Sequence, residues 1–226
     1  MPKNTQTTAK AKNTPDNAKA VTAGKLSSAD KSSAILDAAA LVFMELGFAT
    51  ASVDDISAAY GATKGIIYYH FKNKSTLFFA VQRRAMEMTR EAIEPHALSK
   101  DLPSKKIYNM AHAHTLLIMH HLSYLRVAAQ GLELHLSGRT STKERAELQA
   151  ITDLRDSNEM MYVQVIEEGI KAKEFSSVDP KLWVKPLLGA LNWTSRWYRP
   201  RPQETDADRE RLAHEIASFA LQAFKQ

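Results

Sequence analysis

Between Ser52 and Leu77 the chain reads SVDDISAAYGATKGIIYYHFKNKSTL, with helix starts and a helix stop so closely spaced that only short helices fit. Ser52 is a good N-cap, and Asp55 three residues on can return the bond in a capping box. Val53, Ile56 and Ala59 then form an apolar stripe at helical spacing. Gly61 marks the stop, because a left-handed residue costs glycine little. Thr63 is placed to cap a second helix over Lys64-Gly65-Ile66-Ile67-Tyr68-Tyr69-His70. The i, i+4 spacing turns Ile67 and Phe71 inward and leaves Lys64, Gly65, Tyr68 and Tyr69 outside; His70 faces the first helix and reads as core. Two short helices about a glycine turn make a helix-turn-helix, whose second helix enters a major groove of DNA.

The chemistry of the exposed residues agrees with that use. Lys64, in the first turn, is long enough to reach base edges or phosphates, and Gly65 beside it lets a backbone come close to the duplex. Thr63 can donate to a phosphate, and Tyr68 and Tyr69 can set hydroxyls on the DNA backbone. Lys74 and Ser52 stand at helix starts, where backbone amides favour an anion.

Taken as an ordered string, Ser33 to Leu77 resembles the DNA-binding domain of the TetR family of bacterial transcriptional regulators. The landmarks are an alanine-rich helix, Gly47-Phe48, Asp55-Ile56, Gly61, Thr63-Lys64-Gly65, Tyr68-Tyr69-His70-Phe71 and Lys72-Asn73-Lys74. The resemblance implies operator contacts at Thr63, Lys64, Gly65, Tyr68, Tyr69 and Lys74. Ile66 departs from the small or hydroxylated residue often seen at its place.

The rest of the chain reads as helix, with no alternation that would make a strand. A first helix is expected from about Asp30 to Leu46, ended by Gly47, and a long one from about Lys74 to Glu94, capped by Asn73 or Ser75 and stopped by Pro95. Further helices are expected near 104–121, 123–137, 141–173, 180–198 and 206–225. The expected fold is therefore all-α. A three-helix reader at 30–76 stands on a helical effector-binding and dimerisation bundle at 77–226. Residues 1–29 form a basic, disordered tail, which reads either as an arm for phosphates or as a solvated end.

Charge sharpens this picture. The formal net charge is +5, and residues 1–29, with Lys3, Lys10, Lys12, Lys19 and Lys25 against Asp16, carry +4 of it. The reader itself is near neutral, so DNA binding rests on where a few lysines point. The absence of cysteine excludes disulfides, thiolate catalysis and cysteine zinc sites. No apolar run is expected to span a membrane, which makes a cytoplasmic protein without membrane partners the expectation. No phosphate loop, Gly-x-Ser-x-Gly or His-Glu-x-x-His occurs, so an enzyme is not expected.

In the C-terminal half, Leu182, Trp183, Leu187, Leu191, Phe219 and Ile216 offer apolar faces for an intersubunit four-helix bundle or for the monomer core. The segment GALNWTSRWYRP, residues 189–200, resembles TetR-like regulators of fatty-acid, sterol and aromatic-acid catabolism, some of which sense acyl-CoA thioesters. Asn192, Trp193 and Arg196 offer an amide, an aromatic wall and a cation for such a ligand; Arg196 could equally pair across a dimer. His112, His114, His120, His121 and His135 match no standard metal spacing, and neither a metal nor another cofactor is expected. The reading is a homodimeric transcriptional repressor that leaves double-stranded operator DNA when a small-molecule effector binds. The alternative is an architectural or partner-binding DNA protein without an effector.

Overall fold

The computed structural model describes residues 27–136 and 142–224, and for 132–136 the backbone alone. The basic tail lies outside the described residues except for its last three positions. Nine helices, and no strand, occur among the described residues: α1 (Ser28–Thr50), α2 (Val53–Tyr60), α3 (Lys64–His70), α4 (Lys74–Ala97), α5 (Pro103–His120), α6 (Leu122–Leu136), α7 (Thr142–Lys171), α8 (Pro180–Trp197) and α9 (Asp206–Gln222).

Local signals account for most of these bounds. Ser52 and Asp55 close the expected capping box on α2, with Ser52 Oγ accepting from the Asp55 amide at 3.1 Å. Gly61 ends α2 at φ 75° and ψ 32°, the left-handed region. Asn73 caps α4, its side chain accepting from the Thr76 amide at 2.8 Å. Two ends differ from expectation. Gly47, at φ 74°, kinks α1 rather than ending it, and one more turn follows to Thr50. Pro95 does not stop α4, which runs on to Ala97; so near an end the ring disturbs only the last turn.

Two cores hold the elements together. In the first, Ile35, Phe43, Ile56, Ile67 and Phe78 join α1–α4, and Val127 of α6 and Leu148 of α7 pack into the same cluster. Phe78 meets Phe43 edge-on at 5.1 Å and Phe48 at 4.6 Å between ring centroids. The expected division at 76/77 therefore falls inside continuous packing, and α4 belongs to reader and bundle alike. The second core, around Ile107, Tyr162, Ile166, Leu191 and Phe224, binds α4, α5, α7, α8 and α9.

One expectation about membranes needs correction. By length and composition α1 is long and apolar enough to cross a bilayer, with mean hydropathy 1.5 in its best window. In the fold Ile35, Ala39, Val42 and Phe43 of that helix are instead buried in the first core. Elsewhere on the surface Leu182, Trp193 and Trp197 of α8 and Phe219 of α9 are exposed.

Candidate DNA-reading face and effector cavity

The outer face of α3 is built by burial of the inner one. Ile67 and Phe71 are packed into the first core, and this turns Tyr68 and Tyr69 outward, 51% and 82% exposed. His70 is only half buried: its ring meets the Tyr69 ring edge-on at 5.1 Å, so it belongs to this surface and not to the core. Ser28 and Lys31 of α1 border the same groove as Gly65, Ile66 and Tyr69. Gly65 is exposed, and a Cβ built there would meet nothing nearer than Thr63 Oγ1 at 3.8 Å. Nothing inside the protein demands a glycine at that point.

Lys64, Ser52 and Lys74 are held by the chain's own contacts. Lys64 Nζ pairs with Asp54 Oδ2 of α2 at 2.5 Å. Thr63 holds the N-cap position of α3, yet its hydroxyl makes no capping bond. The Ser52 hydroxyl is spent on Asp55, donating to Oδ2 at 2.6 Å, and these bonds hold the Asp55 carboxyl below the usual range. Lys74 turns inward: its ammonium donates to the carbonyls of Phe48 at 2.8 Å, Ala49 at 3.3 Å and Ala51 at 2.8 Å, and lies 4.7 Å from the Phe48 ring centroid. It closes the C-terminal end of α1, where carbonyls lack helical partners and a cation is favoured. In this geometry the Lys74 ammonium is engaged by the reader's own backbone.

The effector candidates converge. Asn192, Trp193 and Arg196 of α8 line one cavity of about 350 Å³ between α4, α6, α7 and α8. Its walls include Gln82 and Met86 of α4, and Leu148, Ile151 and Arg155 of α7. Trp193 keeps 63% of its surface exposed, so it edges the cavity rather than filling it. Sequence reasoning missed Gln82, Met86 and Arg155, which lie on helices far from residues 189–200 in the chain.

Two groups of contacts join the helices around this cavity to α1 and α4. Arg126 of α6 donates to the carbonyls of Ser195 and Tyr198, both at 2.8 Å, and reaches Met44 Sδ of α1 at 3.8 Å. At the start of α7, Ser75 Oγ of α4 donates to Glu144 at 2.9 Å, and Arg83 pairs with Glu147 at 3.3 Å.

The histidines fall into separate places. His112 lies 3.1 Å from Glu210 of α9, and His214 accepts or donates with the Tyr108 hydroxyl at 2.7 Å. His114 is buried against Tyr162, and burial pushes its pKa down to about 4, so it is neutral at pH 7. No group of three metal-ligating side chains occurs among the described residues.

Known proteins share both halves of this arrangement. Residues 35–81 match the family profile described as bacterial regulatory proteins, tetR family, and residues 100–224 match the tetracyclin repressor-like C-terminal domain. The HTH-type transcriptional repressor Rv1474c of Mycobacterium tuberculosis is 42% identical over 53 residues, 24% of this chain and 28% of that one. Across three such curated relatives the chain spans only 20–28% of their length. The crystal structure of the regulator PfmR from Thermus thermophilus superposes with TM-score 0.70 at 26% identity, covering 83% of this chain and 97% of that one. AibR, in complex with isovaleryl coenzyme A and operator DNA, has the same fold, with TM-score 0.66 at 20% identity over 86% of this chain and 98% of that one. With residues 35–81 and 100–224 both matched, the chain belongs to the TetR family of bacterial regulatory proteins.

Proposed function

We propose that this chain is a transcriptional repressor that binds a palindromic operator as a homodimer and leaves it when a small molecule, an acyl-CoA thioester, enters the cavity between α4, α6, α7 and α8. The observation that carries the reading is the double membership of α4. Its N-terminal turns pack on the helix-turn-helix through Leu77 and Phe78, and Gln82 and Met86, one to two turns on, line the cavity. A ligand that prefers a different placing of Gln82 and Met86 changes the angle of the reader, and operator affinity falls by linkage.

For the DNA side, support comes from Lys64, Gly65, Tyr68 and Tyr69 on one exposed face, with Thr63 beside them. For the ligand side it comes from Asn192, Trp193 and Arg196 on one cavity wall with Arg155 opposite, two guanidinium groups suited to phosphates. The acyl-CoA bound by AibR, a protein of the same fold, agrees with that chemistry. The exposed Leu182, Trp197 and Phe219 on α8 and α9 would be covered by a second copy, which sets two α3 helices toward successive grooves.

The test is a mobility shift on the DNA upstream of the protein's own coding region, with wild type beside Lys64→Ala/Tyr68→Ala, each with and without a panel of acyl-CoA thioesters. A specific shift, lost in the double variant and released by one thioester, is expected. A shift that no thioester releases would leave a DNA reader without this effector class. An equal shift in the double variant would end the assignment of α3.

A further inference from the structure

Beyond the effector cavity lies a second, smaller chamber of about 60 Å³, and the two share Met86, Leu125, Arg155 and Asn192 in their walls. The inner chamber differs from the outer in chemistry. Apolar Ile93 and Leu188 line it, but so do His114, Tyr162 and Asn158, all buried. Thr89, also in its wall, spends its hydroxyl on the Ala85 carbonyl at 2.8 Å, and Asn158 donates to the Met86 carbonyl at 2.9 Å.

His114 is held between the Tyr162 hydroxyl and the Asn192 amide, and its ring proton can be placed in two ways. Tyr162 has a single hydroxyl hydrogen, and two acceptors lie at 3.2 Å from its oxygen: the Met110 carbonyl and His114 Nδ1. If the hydrogen goes to Met110, Nδ1 must carry the ring proton and Nε2 is an acceptor. If it goes to Nδ1, Nε2 carries the proton and can be shared with Asn192, the residue common to both chambers. In either state one ring nitrogen is left to meet Asn192 or whatever lies beside it. A buried polar group of this kind rewards a matching partner and penalises a ligand that offers none.

The charge of the inner chamber narrows the partner. His114 is neutral, and the carboxylate of Glu159 also lines the chamber, held by Lys185 at 2.5 Å. A second carboxylate at the buried end would meet an acid and a neutral ring. A ketone oxygen can accept from the imidazole Nε2–H or from the Asn192 amide, and a hydroxyl can pair with the imidazole in either tautomer. Arg196, by contrast, lines the outer chamber alone and Arg155 stands in the wall common to both, so anionic groups are favoured toward the outer side.

We propose that the two chambers form one ligand site, in which His114, positioned by Tyr162 and bridged by Asn192, selects an acyl group bearing an uncharged oxygen near its far end. The proposal rests on the acyl-thioester reading given above and narrows it. The effector is thus a partly oxidised acyl-CoA rather than a saturated or dicarboxylic one.

The test is calorimetric binding of matched thioesters to the full chain: pentanoyl-CoA, 4-oxopentanoyl-CoA and glutaryl-CoA, with heptanoyl-CoA and 6-oxoheptanoyl-CoA as a longer pair. Wild type should bind one of the oxo compounds at least about tenfold more tightly than its saturated partner, and glutaryl-CoA most weakly. His114→Leu should bring that ratio close to one. Tyr162→Phe, which removes a single oxygen and keeps the ring, should reduce it even where the leucine variant does not fold. Equal affinity for the oxo and saturated members of both pairs, or a ratio unchanged in a folded His114→Leu, would overturn the proposal. If no thioester binds while operator binding is intact, the thioester reading itself fails, and the inner-chamber assignment falls with it.

Discussion

At Lys64 and Lys74 the same residue type, ten positions apart, has opposite surroundings. Lys64 is about half exposed and its ion pair to Asp54 lies on the surface, where such a pair is worth about 0.2–1 kcal/mol. A phosphate or base can replace Asp54 at little cost. Lys74 holds three carbonyls at the end of α1, and losing it leaves them without that donor. Titrations of operator affinity against salt should separate the two. Lys64→Ala should weaken binding and lower the salt slope by about one, as expected for one lost phosphate contact. Asp54→Asn, which frees Lys64 and removes a negative charge beside it, should tighten binding by about two- to fivefold. Lys74→Met should leave the salt slope unchanged but lower thermal stability by about 1–3 kcal/mol. A slope reduced by Lys74→Met with no loss of stability would return that ammonium to the DNA.

Among the helices, the contact of α4 with α6 has least room for change. Gly131 of α6 faces Gln82 of α4 so closely that an added Cβ would sit 1.6 Å from Gln82 Oε1. Gln82 is itself buried in the cavity wall, its amide donating to the Phe78 carbonyl at 3.4 Å. In Gly131→Ala the amide must therefore swing away, and the space it can enter is the cavity. Effector binding should weaken by about tenfold or more, as expected for a clash of about 1–3 kcal/mol, whereas operator binding without ligand should change little. Calorimetry and mobility shift on one preparation would show it; an equal loss in both would mean that α4 has moved as a whole. This contact, between helices far apart in the chain, shows which features the sequence hides. The Ser52–Asp55 capping box and the Gly61 stop were legible because both are settled within a few residues. The inward turn of Ile67 and Phe71 was legible from spacing alone. Lys74 was not, since its carbonyl partners lie 23–26 residues earlier, and neither was the half-exposed His70, whose neighbours depend on how α1 and α3 cross. Asn192, Trp193 and Arg196 could be named from one segment, but Gln82, Met86 and Arg155 needed the packing of other helices against it.

Across the whole molecule the question is how a ligand among four helices reaches a reader at one end. In α7, Leu148, Ile151 and Arg155 line the cavity; just before them, Glu144 and Glu147 hold Ser75 in the first turn of α4 and Arg83 farther along it. If an effector releases DNA, as proposed above, by parting α7 from α4, it must break those contacts, and they oppose the release. Because coupling is reciprocal, operator DNA should lower effector affinity by the factor by which effector lowers operator affinity. Removing the acids alone, in Glu144→Ala/Glu147→Ala, takes nothing from the DNA face. It removes the partly exposed contacts to Ser75 and Arg83, about 0.2–1 kcal/mol each, so the released state gains by about two- to thirtyfold relative to the operator-bound one. Operator affinity without ligand should fall within that range, and the effector concentration for half release should fall with it. The salt slope should stay as in wild type, since no phosphate contact is lost. Anisotropy titrations of labelled operator, with effector varied at fixed protein, would measure all three. If the half-release point holds while operator affinity drops, α4 and α7 move as one body and the signal runs instead through α6, where Arg126 joins the end of α8 to Met44 of α1.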